Sequence, residues 1–467
     1  MRLVAALLGG VLISGCALTP DYERPVLDVP DTYREPAPDG ASVANIEWWD
    51  LFRDAQLQRL IETALEDNKD LGVALQRIVE ARAQLTFTRA DQFPFLDAFG
   101  SAERSDPSDV LVPDSSASNN FAVAAGLSFE VDLWGKLRRA TEAARADLLA
   151  TDAAYRNVTI SLVSSVASTY FLLRDLDERL VISRDTVESR RNSLAIIQAR
   201  FDKGTVPELD VNQAQIELAI AEVAVASFQR QVAQTENALR ILLGRNPGPV
   251  TRGKKLEQQV PPSVIPVGLP SELLQRRPDL VTAEEQLKAA TARVGVAEAL
   301  RYPSIGLTGS YGLASDDLSD LNSSDARTWN IGANLFAPIF NSGQLKAQAE
   351  AQRARTEQAL LNYEASLQQA LREVDDALAA IRGYHAEHSA RTRQTVAARN
   401  ASRLSRARYD GGVVDYLEVL DSERSLFNAE LDQSATLRLY LNAIVELYKA
   451  LGGGWSPDPG KQQQATR

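Results

Sequence analysis

Phe121-Ala122-Val123-Ala124-Ala125-Gly126-Leu127-Ser128-Phe129-Glu130-Val131-Asp132 carries apolar side chains on its odd positions and small or polar ones on its even positions. An extended chain sends alternate side chains to opposite faces, so this stretch predicts a strand with one apolar and one polar face. Thr328-Trp329-Asn330-Ile331-Gly332-Ala333-Asn334-Leu335 repeats the pattern, as does Ile305-Gly306-Leu307-Thr308-Gly309-Ser310-Tyr311-Gly312-Leu313. Residues 95–102 are a weaker fourth instance. Alternation over about 9–11 residues suits a strand that crosses a bilayer with lipid on one face and water on the other. Residues 106–120 and 315–327, rich in Ser, Asp and Asn, separate the strands as hairpin tips. Any one segment alone also fits a half-buried strand of a soluble sheet. Four together fit a membrane better, but an open sheet edge cannot sit in lipid. The smallest bacterial barrels have about eight strands, so four must be completed by other copies. Three copies supply twelve. Leu127, Leu307 and Ile331 are then expected to face lipid.

Around these strands the chain is written twice, with a period of about 208 residues. Ala199-Arg200-Phe201-Asp202-Lys203-Gly204 returns as Ala407-Arg408-Tyr409-Asp410-Gly411-Gly412, and Trp134-Gly135-Lys136-Leu137 as Ser342-Gly343-Gln344-Leu345. Phe93-Pro94 is echoed by Tyr302-Pro303, and Leu243-Gly244 by Leu451-Gly452. Each copy opens with a predicted helix (56–90 and 271–300) and two strands. A very long proline-free helix (134–202 and 343–410), a glycine break and a further helix (207–243 and 415–451) follow. At 1.5 Å per residue each long helix is a rod of roughly 100 Å. Leu162, Val166, Thr169, Leu173, Leu176 and Leu180 recur at alternating steps of four and three, as do Leu367, Leu371, Val374, Leu378 and Ile381. This is coiled-coil spacing; one such window alone also fits an ordinary amphipathic helix.

The N-terminus predicts export. Arg2 is followed by an apolar run, 3–13, of signal-peptide length, ending in Ile13-Ser14-Gly15-Cys16. An aliphatic residue and two small ones before the chain's single cysteine predict a lipoprotein signal with lipid on Cys16, against the alternative of an ordinary secretory signal. Several acyl chains anchor far more firmly than one, at roughly 0.8 kcal/mol per buried CH₂. Ala17 is not the aspartate of the inner-membrane retention rule, which points to outer-membrane lipid.

A net charge of −12 argues against nucleic acid as a partner. Neither a nucleophile elbow nor a P-loop is present, so no catalytic residue is assigned and no enzyme is expected. His385 and His388 lie on one helix face, but zinc wants three or four ligands and the chain has two histidines. They read as solvated helix residues; no metal and no cofactor beyond the covalent lipid is expected.

Over residues 48–452 this layout resembles the outer-membrane factor family, the TolC-like efflux ducts, in its NodT-type lipoprotein branch. The resemblance is carried by the lipobox, Phe93-Pro94, Val131-Asp132-Leu133-Trp134-Gly135-Lys136, and Tyr409-Asp410-Gly411-Gly412 with Tyr416-Leu417-Glu418-Val419-Leu420-Asp421. It implies a mainly α fold with a transmembrane β-barrel portion. A homotrimer would form a twelve-stranded barrel, four strands per chain, on a long periplasmic α-helical coiled-coil barrel. The expected divisions are a signal peptide (1–15), a lipidated extension (16–50), a first repeat (51–246, hairpin about 93–132), a Pro-rich equatorial linker (247–270), a second repeat (271–452, hairpin about 303–339) and a tail (453–467).

The resemblance also implies a passive export channel, docked to a periplasmic adaptor protein and an inner-membrane pump. In such channels the helical hairpins form a gate, whose acidic ring falls here on Glu418 and Asp421. They lie three apart, on one helix face; the competing reading is a helix cap at Glu418, where Asp415 gives capping-box spacing, and a solvated Asp421. The family's latch, from an aspartate to a tyrosine, falls on Asp210 and Tyr409, with Val414 at the usual basic position. Two rivals remain: a channel of the same fold serving one-step protein secretion, and a structural coiled-coil lipoprotein.

Overall fold

Two matched halves follow one another along the chain. The computed structural model describes residues 21–35, 45, 52–108, 110, 113, 116–259 and 267–453. In the first half, α1 (Ala55–Asp67) and α2 (Lys69–Ala90) lead to strands β1 (Phe95–Ser105) and β2 (Ser118–Val131), then to helices α3 (Lys136–Asp202) and α4 (Glu208–Leu242). In the second, a single turn α5 (Leu273–Arg276) and α6 (Pro278–Ala299) lead to β3 (Ser304–Ser315) and β4 (Arg327–Phe336), then to α7 (Gln344–Asp410) and α8 (Tyr416–Ala450). The long helices are 67 residues each and their partners 35 each. Left-handed glycines mark the joints in pairs 208 positions apart: Gly135 and Gly343, Gly204 and Gly412, Gly244 and Gly452. Only glycine takes this conformation without strain, so the pairs fix where each helix starts and stops.

The chain divides into two units. One comprises, among the described residues, 21–27, Arg77–Asp152 and Thr282–Glu364; it holds the sheet. Its four strands are antiparallel in the order β1-β2-β3-β4, so β1 and β4 are the edges. Directly paired residues share a face. The rows Leu96, Leu127, Gly309, Ile331 and Ala125, Tyr311, Trp329 therefore put Leu96, Leu127, Tyr311, Trp329 and Ile331 on one side. Leu307 joins them through its pairing with Phe129 and Ala333. The opposite face carries Asp97, Ser101, Glu103, Asn120, Ser128, Thr308, Ser310, Asn330 and Asn334, with Phe95, Phe99 and Phe336 as exceptions. On that face a Cβ at Gly126 would stand 2.5 Å from the Asp97 carboxylate, so the glycine leaves room for its neighbour's charge. The apolar face lies open: Ile331 is 83% exposed and Trp329 70%. At the strand–helix junction the Trp134 indole nitrogen donates to the Pro303 carbonyl at 2.6 Å and its ring meets Tyr302 at 5.0 Å. The Asp132 carboxylate accepts from the amides of Leu137 and Arg138, satisfying the first turn of α3.

The other unit is helical and comprises the described residues of Asp28–Gln76, Ala153–Val281 and 365–453. Its core is the expected seam, with Leu162, Val166, Leu173, Leu176 and Leu180 of α3 and Leu367, Val374 and Leu378 of α7 all buried. Both predicted leading helices are broken. In the first, Asn68 is extended; its side chain accepts from the Leu71 amide and donates to the Leu242 carbonyl at 2.9 Å. In the second, Arg277 precedes a proline, which disfavours helix, and donates to the Ala450 carbonyl at 2.9 Å. Each break thus docks the end of the closing helix of its own half.

Candidate functional site

Helices α3 and α4 form one hairpin and α7 and α8 another, with the same turn chemistry. Gly204 and Thr205 donate back to Phe201 and Arg200; Gly412 and Val413 donate to Tyr409 and Arg408. Beneath the turns Ile197, Val211, Ala214, Tyr409, Tyr416, Val419 and Leu420 form one buried cluster drawn from all four helices. Tyr409 is clamped between the Arg200 guanidinium, 4.9 Å over its ring, and Tyr416 at 5.3 Å.

The pairing of Asp210 with Tyr409 is not made. The Tyr409 hydroxyl is buried without a hydrogen-bond partner. Val414, at the position where the family often has a basic residue, packs against the apolar cluster instead. Burial raises Asp210 above the ordinary carboxylate value, and the Asp415 charge adds to the rise. Glu418 and Asp421 are both exposed near the start of α8. The capping box is not used either: the Asp415 side chain makes no cap bond, and the Glu418 carboxylate accepts from Arg408 at 2.9 Å.

A few turns from the tip lies a group of charges that no motif signalled. Arg190 of α3 and Glu217 of α4, each 3% exposed, pair at 3.0 Å. Arg424 of α8 donates to the same Glu217 carboxylate at 2.5 Å. Arg406 of α7 pairs with Glu423 of α8 and donates to Ser193 of α3 at 2.5 Å. Burial pulls the Arg190 guanidinium down from its ordinary value, with Glu217 the first charge opposing it. Such contacts join residues far apart in sequence, so periodicity cannot reveal them.

His385 is exposed against Tyr440, as expected of a solvated residue; His388 is half-buried, its Nδ1 without a partner and its pKa lowered by burial. Among the described residues no three potential ligands gather to hold a metal. No described helix is long and apolar enough to cross a membrane. Cys16 lies outside the described residues.

The repeat and its paired hairpins coincide with a known pattern: residues 60–245 and 269–453 both match the outer membrane efflux protein family. The chain belongs to that family. The solvent efflux pump outer membrane protein SrpC of Pseudomonas putida is 37% identical over 463 residues, covering 96% of this chain and 97% of its own. The cation efflux system protein CusC of Escherichia coli K12 is 36% identical over 449 residues, 95% and 97% of the two chains. The open-state crystal structure of the Neisseria gonorrhoeae MtrE outer membrane channel superposes with a TM-score of 0.86 at 31% identity, over 95% of this chain and 99% of that one. This outer membrane efflux protein is therefore a channel of the outer membrane and not an enzyme.

Proposed function

We propose that the channel works as a homotrimer, lipid-anchored through Cys16 in the outer membrane, and forms the exit duct of a tripartite pump for small molecules. The observation that carries this reading is the sheet: one apolar face, one polar face, and two unpaired edges, β1 and β4. Backbone groups on those edges cannot be left bare in hydrocarbon, so each edge is met by another copy, β4 against β1. A second support is the stripe Leu209, Ile216, Ile220 and Val223 along α4, exposed in the single chain at coiled-coil spacing. A copy packed there buries it.

The helices line a duct through the periplasm that meets a periplasmic adaptor protein and an inner-membrane pump. Glu418 and Asp421 of three copies set the charge of its narrowest point. SrpC and CusC are named for solvent and cation efflux; the cargo proposed here is of the same small-molecule class. The deciding measurement is oligomeric state in detergent together with single-channel conductance in a planar bilayer. A trimer with discrete conductance is expected, and a monomer without conductance would overturn the proposal.

A further inference from the structure

Five charged side chains lie on the four strands: Asp97, Glu103, Arg104, Glu130 and Arg327. They are sorted by sign. Alternation along each strand puts the three acids on the polar face and both arginines on the apolar one, Arg104 in step with Leu96 and Arg327 in step with Trp329 and Ile331. Arg104 is the penultimate residue of β1 and Arg327 the first of β4, so both stand where the strands meet the hairpin loops. Both are exposed, and among the described residues neither pairs with a carboxylate. We propose that these two arginines bind the phosphates of a glycolipid headgroup in the outer leaflet of the membrane. This rests on the reading of the sheet as part of a membrane barrel.

The apolar face itself marks the level of the headgroups. One step inward from Arg327 stand Trp329 and its directly paired neighbour Tyr311, the latter 62% exposed. At the other end of the strands Trp134 packs on Tyr302. Aromatic side chains border the hydrocarbon of a membrane barrel at both interfaces, and Leu127, Leu307 and Ile331 lie between these two sets. The helices leave from the Trp134 end, so the arginines stand at the end away from the periplasm. An arginine at mid-bilayer is costly, whereas near the interface it costs little. There its planar fork holds two phosphate oxygens at once, which an ammonium cannot do. Because β1 and β4 are the sheet's edges, closing the barrel brings the two arginines to either side of each seam between copies. A headgroup with two phosphates engages both, its acyl chains lying along Trp329 and Ile331. The polar face of the strands carries acids only, so an anion is drawn to the outside of the barrel and not to its lumen.

The test measures binding of lipid A, a diphosphorylated glucosamine lipid, to the full-length trimer in detergent by native mass spectrometry. Wild type is compared with Arg104→Gln, Arg327→Gln, the double variant and Glu103→Gln. Each arginine variant should weaken lipid A binding about tenfold and the double variant about a hundredfold, the worth of one charge-assisted contact apiece. Glu103→Gln, next along the strand but on the other face, should bind as wild type does. Raising salt should weaken wild-type binding and leave the double variant little changed, because the screened contacts are already gone. Phosphatidylcholine should bind wild type and the double variant equally, and excess inorganic phosphate should not displace lipid A. Wild-type affinity for lipid A in the double variant would overturn the proposal. So would displacement by inorganic phosphate alone, which would mark a site for free anions. Loss of the trimer in both single variants, with no lipid present, would overturn it as well, making the arginines part of the seam's own structure. A wild-type chain that stays monomeric would instead defeat the barrel reading, which keeps the two failures distinct.

Discussion

Asp54 is buried, yet its carboxylate is held by four donors: the amides of Gln56 and Lys254, the Tyr170 hydroxyl and the Gln259 side-chain amide. Burial by itself would raise its pKa; the four hydrogen bonds outweigh burial and lower it. A carboxylate whose folded pKa is depressed lends stability that is present above its unfolded value, about 3.9, and lost as pH falls from there toward the folded value. Asp54→Ala should therefore cost about 3 kcal/mol at neutral pH, since it strands several buried donors, and the deficit should shrink in acid. Thermal unfolding at pH 7 and pH 3 checks both parts; an equal deficit at both would show that the charge is not what matters. At the other end of the chain, Cys16→Ser should abolish acyl labelling and slow signal processing. Unchanged mass and labelling would refute the lipid anchor, while folding should survive because the barrel has its own hold on the bilayer.

At the scale of elements the strands give the sharpest contrast between neighbours. Leu127 and Ser128 are adjacent but stand on opposite faces of β2, paired with Leu96 and Phe95 respectively. Arginine in the middle of a lipid-facing strand costs about 2–4 kcal/mol and little on the water side. Leu127→Arg should sharply reduce assembled trimer in membrane fractions, whereas Ser128→Arg should assemble and conduct less. Equal tolerance at both positions would contradict the assignment of faces. These strands were legible because period two survives in a short window, and the long helices because no proline interrupts them. What could not be read were the breaks at Asn68 and Arg277, where a side chain leaves its own helix to bind a carbonyl some 170 residues away. The Pro278 after Arg277 was a signal that could have been used. Near the start of α8, Glu418 and Asp421 stand exposed on one helix, as their spacing predicts. The Arg408 that meets Glu418 was not legible, because helix-to-helix pairing depends on the rotation of one rod against another.

For the whole molecule, gate charge is the quantity to measure. In the proposed trimer, Glu418 and Asp421 would set six carboxylates around a three-fold axis, which would attract multivalent cations and favour cation passage. Arg408 already neutralises part of the Glu418 charge, so Asp421 carries most of what remains. Glu418→Gln with Asp421→Asn should weaken cation selectivity and blunt block by a trivalent cation, and Asp421→Asn alone should account for the larger part. The readout is conductance with the cation titrated on the periplasmic side. Unchanged block in the double variant would place the constriction elsewhere on the hairpins.

The two bare strand edges have a further consequence, for the order of events in time. A chain whose sheet closes only against its neighbours has no stable way to enter the bilayer singly, since its first and last strands would carry unmet amides and carbonyls into hydrocarbon. Insertion is therefore tied to encounter among chains. Its rate in liposomes should climb more steeply than in proportion to protein concentration, and diluting the protein should stall it at a stage where the helices are formed and the strands remain open to protease. A rate strictly proportional to concentration would show that single chains cross the interface unaided. In the cell, the same requirement makes trimer meeting, rather than strand formation, the step at which a shortage of chains is felt first.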